Sequence, residues 1–283
     1  MTMDYGDSAA PMGQGKTMGD YAIEAATNTY DQMVSLFKQK GDGQTFDWNN
    51  IGVTPMVGVN DVHDEVFFIS DAKSVLDFAN EKGMGMLSMW ELTRDVPMPV
   101  SQTYYSLSTD TGLTSVPNSS NPKAIYDADY IKGGFTKTWF PYQHSSDQDG
   151  KSTTSFWDQS YAPYVDFAGW CSDPCKWPLP DRTPAYMKTS GSYDPYTLAN
   201  SLGWSDNQRF NLAFIQAAPD GTPAWGGLQS LSLTTPSKSG LDQMNAMNAS
   251  MKLINEKDGH YAVSFGGASG TTLASDILKT TTT

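Results

Sequence analysis

An α/β fold with a mostly parallel sheet is what this sequence predicts, on two observations. Six short apolar segments, 1–5, 51–60, 85–90, 161–168, 210–216 and 260–267, each run into a polar loop. Helical patterns lie between several of them, and that βα repetition is the grammar of a parallel sheet with covering helices.

The elements follow in chain order. The run "MTMDYGD" reads as a strand end opening into a loop. From Asp20 to Phe37 the apolar residues Ala22, Ala26, Met33 and Phe37 fall at helical spacing, with Gly41 as the stop. A strand over 51–60 precedes a second helix over 71–80, entered at Ser70 as N-cap and left at Gly83. After the strand 85–90 the rhythm breaks. Residues 97–159 are rich in Ser, Thr, Asn, Asp, Gly and Pro and read as a connector with ordered patches. Its aromatic cluster, "GGFTKTWFPYQ", is expected to pack rather than to bind a ligand. Strands over 161–168, 210–216 and 260–267 complete the set, with a helix over 241–254 whose Met and Leu stripe reads as core.

Composition bounds the function classes. At 283 residues the chain is long enough for one large α/β barrel or two ordinary domains. A net charge of -13 with 18 Lys and Arg argues against nucleic acid, because neutralising phosphates needs basic clusters. Neutral, hydroxyl-rich partners remain open. The 8 Trp and 14 Tyr fit such partners, since aromatic faces stack on sugar C–H surfaces while polar tips hydrogen-bond. No stretch is long and apolar enough to span a bilayer, so no membrane partner is expected, and no secretory signal is read at Met1. The two cysteines, Cys171 and Cys175 in "CSDPC", are compatible with a small disulfide loop or with two free thiols. His63, His144 and His260 lack ligand spacing, so neither a metal nor another cofactor is expected.

Six motifs together resemble the bacterial chitinases of glycoside hydrolase family 18. They are "MTMDYGD", "IGVTPMVGVND", "GMGMLSMWELTRD", "YAPYVDFAGW", "FNLAFIQA" leading to "TPAWGG", and "YAVSFGGASGT". The first three resemble barrel strands 6, 7 and 8 of that family and the last three resemble strands 1, 2 and 3. The resemblance therefore implies an incomplete or permuted (β/α)8 TIM-type barrel. Residues 1–96 would be the C-terminal half of one barrel, 97–159 the connector, and 160–283 the N-terminal half of another.

The resemblance also implies site residues and a partner, chitin or a chito-oligosaccharide, in an extracellular setting. Asp4 matches the strand 6 carboxylate that orients the substrate acetamido group, flanked by Met3 and Tyr5; Met3 stands where many relatives carry Tyr. Trp90 matches the strand 8 tryptophan that floors the sugar at the cleaved bond. Asn60 is a substrate-binding candidate at the end of strand 7, or simply terminates it. Ser264, Gly266 and Gly267 match a strand 3 S-x-G-G pattern whose role is architectural. Trp225 is equally a structural or a ligand-lining residue.

One expected motif is absent. The family's D-x-x-D-x-D-x-E carries the general acid, and in its substrate-assisted mechanism that acid is the one indispensable protein group. Among Glu24, Glu65, Glu81, Glu91 and Glu256, none has Asp two and four residues before it. Glu91 lies nearest a strand mouth, but alternation after Trp90 is expected to turn it from the interior. Three readings follow: a piece of a tandem chitinase-like protein without catalysis of its own, a non-catalytic oligosaccharide binder, or a barrel completed by a second chain or adjoining sequence.

Overall fold

The computed structural model describes residues 2, 3, 5, 15–60, 65–95, 133–142, 161–167 and 194–267. The chain divides into two compact units, Met1–Pro163 with Ser201–Trp204, and Tyr164–Asn200 with Ser205–Thr283. The division falls inside the segment 161–168 that the sequence reads as one strand.

In the first unit, β1 (Gly52–Val53) pairs in parallel with β4 (Met86–Leu87), Gly52 opposite Met86 and Val53 opposite Leu87. A parallel bridge from Met56 to Trp90 prolongs the pair, and another joins Leu87 to Tyr161. On the other side of β1, the Thr2 N–H donates to the Thr54 carbonyl at 3.0 Å. Four chain segments thus lie side by side, contributed by 2, 52–56, 86–90 and 161. Nearly all side chains of β1 and its extension are buried, with Val53, Met56 and Val57 at most 2% exposed, as in a strand covered on both faces. The expected strand 51–60 is broken, because Pro55 has no N–H to give a ladder and Gly58 sits at φ 73°. Its second part, β2 (Gly58–Val59), turns back on β3 (Val66–Phe67) as an antiparallel pair.

Two helices cover these strands. Helix α1 (Met18–Lys40) starts at Thr17, whose hydroxyl accepts from the Asp20 N–H at 3.2 Å while Asp20 accepts from the Thr17 N–H at 2.8 Å. It buries Met18, Gly19, Ala22 and Ala26 and ends at Gly41 in the left-handed region. Helix α2 (Ile69–Lys82) ends likewise at Gly83. Its start differs from the expectation. Ser70 lies inside the helix, and the capping oxygen comes from Asp71, which accepts from the Phe68 N–H at 2.8 Å and, with its other oxygen, from the Gly19 N–H at 3.0 Å. A carboxylate with two oxygens joins both helices, which a serine hydroxyl cannot do. Burial pushes the Asp71 pKa up, with those hydrogen bonds opposing.

The aromatic cluster of the expected connector packs, in the first unit itself. Helix α3 (Gly134–Trp139) places Phe135 and Trp139 against Phe67, with ring centroids 6.3 and 6.0 Å away. The Trp139 indole donates to the Ala72 carbonyl at 2.9 Å, and the Tyr142 hydroxyl reaches the Ala79 and Met84 carbonyls at 3.2 and 2.5 Å. Both ends of α2 are thereby held by side chains more than fifty residues away in sequence, Trp139 at its first turn and Tyr142 at its last.

The second unit holds a four-stranded mixed sheet. β5 (Tyr164–Asp166) and β8 (His260–Phe265) flank β6 (Arg209–Ala217), both parallel to it. β7 (Pro223–Trp225) folds back antiparallel on the end of β6. Helix α4 (Pro195–Ser201) buries Pro195, Leu198 and Ala199. Helix α5 (Lys238–Glu256) is capped by Ser237 and buries Gly240, Met247, Ser250 and Ile254. The expected core stripe is thus only partly buried, and Leu241 is 47% exposed. β8 is also open to solvent, with Phe265 70% exposed. No helix of the described residues is long and apolar enough to cross a membrane.

Candidate functional site

Sites of parallel α/β sheets form where the strands end, because the loops that leave the C-terminal ends converge there. In the first unit that end carries Trp90, Asn60, Met3 and Tyr5. Trp90 is half-buried and held in the ladder by its backbone, its N–H donating to Pro55 O at 2.8 Å and its carbonyl accepting from Val57 N at 3.0 Å. The indole position is thus set by two strands rather than by a loop. The Arg94 guanidinium braces the same corner, donating to the Val57 carbonyl at 3.0 Å. Asp4 lies outside the described residues, while Met3 and Tyr5 on either side of it are half-buried.

Asn60 closes the β2–β3 turn. Its N–H donates to the Glu65 carbonyl at 2.9 Å and its side-chain amide donates to the Glu65 carboxylate at 3.1 Å. Both residues are buried, at 3% and 2% exposure. The Glu65 charge also reaches Tyr5. Burial first, then Glu65 and Glu24, push the phenol pKa far up, with the Thr2 hydroxyl opposing, so Tyr5 stays neutral and able to donate. The Tyr5 ring rests against Tyr21 at 5.5 Å. Two polar atoms of this unit besides the Thr2 and Tyr5 hydroxyls, which lie within reach of each other, are buried without a hydrogen-bond partner among the described residues: Asn60 Oδ1 and Ser88 Oγ. Buried polar groups are nearly always satisfied, so each is a place where a ligand group or a bound water fits.

Two carboxylates beyond Trp90 sit differently from the sequence reading. Strand alternation does not govern Glu91, because β4 ends at Leu87 and Glu91 is the residue that opens the 3-10 turn Leu92–Arg94. It is 8% exposed. Asp95, not singled out in the sequence, is fully buried and accepts from the Phe135 and Thr136 N–H groups at 3.1 and 2.7 Å. It is the distant cap of α3. Burial raises its pKa to about 7, against those hydrogen bonds and Lys137. Its signal was the last position of "WELTRD", just before the low-complexity run, with a Gly-Gly helix start forty residues on. Tyr161 stands beside it, fully buried, its hydroxyl 3.2 Å from Thr136 Oγ1. Asp95 and Tyr161 thus tie α3 to the strand ends.

In the second unit, Gly266 and Gly267 have φ of 104° and 119°, a region that side chains avoid. A Cβ on Gly267 would also stand 2.6 Å from Gln216 Nε2. Gly267 therefore serves the close approach of the end of β8 to β6, while Gly266 is required by its backbone angle alone. Gln216, 8% exposed at that end, was not singled out in the sequence. Ser264 is half-buried in β8. Trp225 is 5% exposed and packs edge-on against Phe167 at 5.2 Å, the structural one of its two readings. Cys171 and Cys175 lie outside the described residues, as do His63 and His144. His260 is exposed at the start of β8. No group of three or more His, Cys, Asp or Glu suited to a metal occurs among the described residues.

Comparison with known proteins gives a partial similarity. The chain is 42% identical over 101 residues, 34% of its length, to a probable bifunctional chitinase/lysozyme of Escherichia coli K12. It is 41% identical over 101 residues to endochitinase 11 of Metarhizium anisopliae. The matched region spans 11% and 19% of those two proteins. No protein-family model matches the chain, and no solved structure matches it. About a third of this chain is therefore chitinase-like in sequence.

Proposed function

We propose that the strand ends of the first unit bind polymers of N-acetylglucosamine, and that the chain carries parts of a family 18 chitinase-like glycoside hydrolase whose general acid it does not contain. The observation that carries the reading is Trp90, a half-buried tryptophan fixed at the C-terminal end of a parallel strand. It occurs in a chain a third of which is similar to two chitinases. A sugar ring offers an apolar C–H face to such an indole, and its hydroxyl and acetamido groups suit an unpartnered acceptor such as Asn60 Oδ1. The parallel pairs β1–β4 and β5–β6–β8 support an incomplete or permuted (β/α)8 arrangement, closed by a second chain or by adjoining sequence. An insoluble polymer is met outside the cell, so the reading brings an extracellular location with it.

A non-catalytic binder is the second reading. It is favoured by the absence of D-x-x-D-x-D-x-E and by the engagement of Glu65, one of the two buried glutamates described, with Asn60. Both readings require binding. Titration of the purified chain with N-acetylated chito-oligosaccharide tests that, with saturable binding expected; no binding at millimolar ligand overturns both.

A further inference from the structure

The Asn60 side chain poses a question of orientation. An Asn amide carries a donor nitrogen and an acceptor oxygen on one carbon, and its neighbours decide which way each points. The oxygen that Glu65 offers to Asn60, Oε2, accepts from the amide. Its contact at 3.1 Å therefore selects Nδ2 and turns Oδ1 to the opposite side. The backbone bond from Asn60 N to Glu65 O, at 2.9 Å, fixes the span between the two residues. The oxygen turned away is buried and meets no hydrogen-bond partner among the described residues. Asn60 follows β2, four residues after Met56, which pairs with Trp90.

We propose that Glu65 is a positioning residue that locks the Asn60 amide so that Oδ1 is presented to an N–H or O–H of the bound sugar. The inference rests on the functional reading above and adds to it the residue that sets the polarity of the contact. An unmatched buried acceptor is unfavourable in the empty site, and a donor from the ligand removes that cost on binding. The same lock excludes the reverse orientation, in which an NH2 group would face the ligand and repel its donors. Glu65 touches no substrate in this scheme. It acts through Asn60, and its negative charge helps keep the Tyr5 phenol protonated as a neighbouring donor.

The test is a titration of chitotetraose, followed by tryptophan fluorescence, on three chains whose thermal midpoints are recorded alongside. Glu65→Gln removes the constraint, because a glutamine amide can meet either end of Asn60. Its expected effect is a loss of affinity of about tenfold at an unchanged thermal midpoint. The double change Asn60→Asp with Glu65→Gln restores the constraint with the roles exchanged, since the new glutamine NH2 holds one aspartate oxygen and leaves the other as acceptor. Affinity within about threefold of wild type is expected there. Wild-type affinity in Glu65→Gln, or a folded double variant that binds no better than the single one, overturns the inference while leaving the functional reading standing. Should Glu65→Gln fail to fold, the double variant decides alone, by binding or not binding. A wild-type chain that does not bind chitotetraose sinks the functional reading and this inference with it.

Discussion

Trp90 and Asp95 lie five residues apart and do opposite things. Trp90 keeps part of its ring in solvent at a strand end, while Asp95 is sealed beneath α3. Replacing Trp90 by Ala should weaken chito-oligosaccharide binding by about 1–3 kcal/mol, on the scale of a buried aromatic contact. Asp4→Asn should do less. Calorimetric titration of both variants checks the order, and an unchanged Kd in Trp90→Ala would return the residue to a packing role. Asp95 calls for a stability measurement instead. Its folded pKa of about 7 lies above the ordinary value of 3.8, so the proton is bound more tightly in the folded chain. The stability it contributes is complete below about pH 4 and is lost as pH rises through about 7. Unfolding midpoints should therefore fall between about pH 4 and 7, and Asp95→Asn should flatten that slope while keeping one acceptor for the amides of α3. A variant with the wild-type slope would assign the pH dependence to another group. The place of Trp90 at a strand end was legible because its motif lies within one local run of sequence. Asp95 was not, because its partners are amides forty residues on and no local pattern announces a cap supplied from that distance.

Elements were legible in proportion to how local their causes are. Helix α1 has its cap, stripe and stop within one run of sequence, and its observed span extends the expected one by only a few residues at each end. Helix α2 is legible, but the expected cap, Ser70, is the usual signal of a hydroxyl before a helix; Asp71 caps it through the Phe68 N–H and also holds Gly19 of α1, fifty-two residues away, which no local pattern announces. Strands β3 and β7 are short antiparallel returns, too brief for a period of two to be seen. Helix α3 is the strongest case of tertiary control. Its six residues could not persist alone, and the fully buried Trp139 with its bond to Ala72 fixes it on α2. Trp139→Ala should therefore cost about 3–5 kcal/mol, the range for truncating a large buried aromatic. The loss should appear as a lower thermal midpoint with Trp90 fluorescence still responsive to ligand below the transition. A midpoint within a degree of wild type would mean that α3 contributes little to holding the first unit together.

At the scale of the whole molecule, the resemblance found in six motifs and the similarity over 101 residues point the same way, towards chitinases. Neither supplies a general acid. The described glutamates divide simply: Glu24, Glu81 and Glu256 are exposed, whereas Glu65 and Glu91 are buried. A general acid must be protonated at working pH and within reach of the glycosidic oxygen. The exposed three lie on helices rather than at strand ends, and Glu65 is engaged by Asn60. Loss of a general acid removes about two to four orders of magnitude of rate. The purified chain should therefore bind chito-oligosaccharide without cleaving it at more than a trace rate, as mass spectrometry of the sugar over a day would show. Rapid cleavage would require an unrecognised acid, and Glu91, next to Trp90, is the position to examine first. Turnover abolished by Glu91→Gln, with binding retained, would make Glu91 that acid and overturn the expectation of a chain that binds but does not cut.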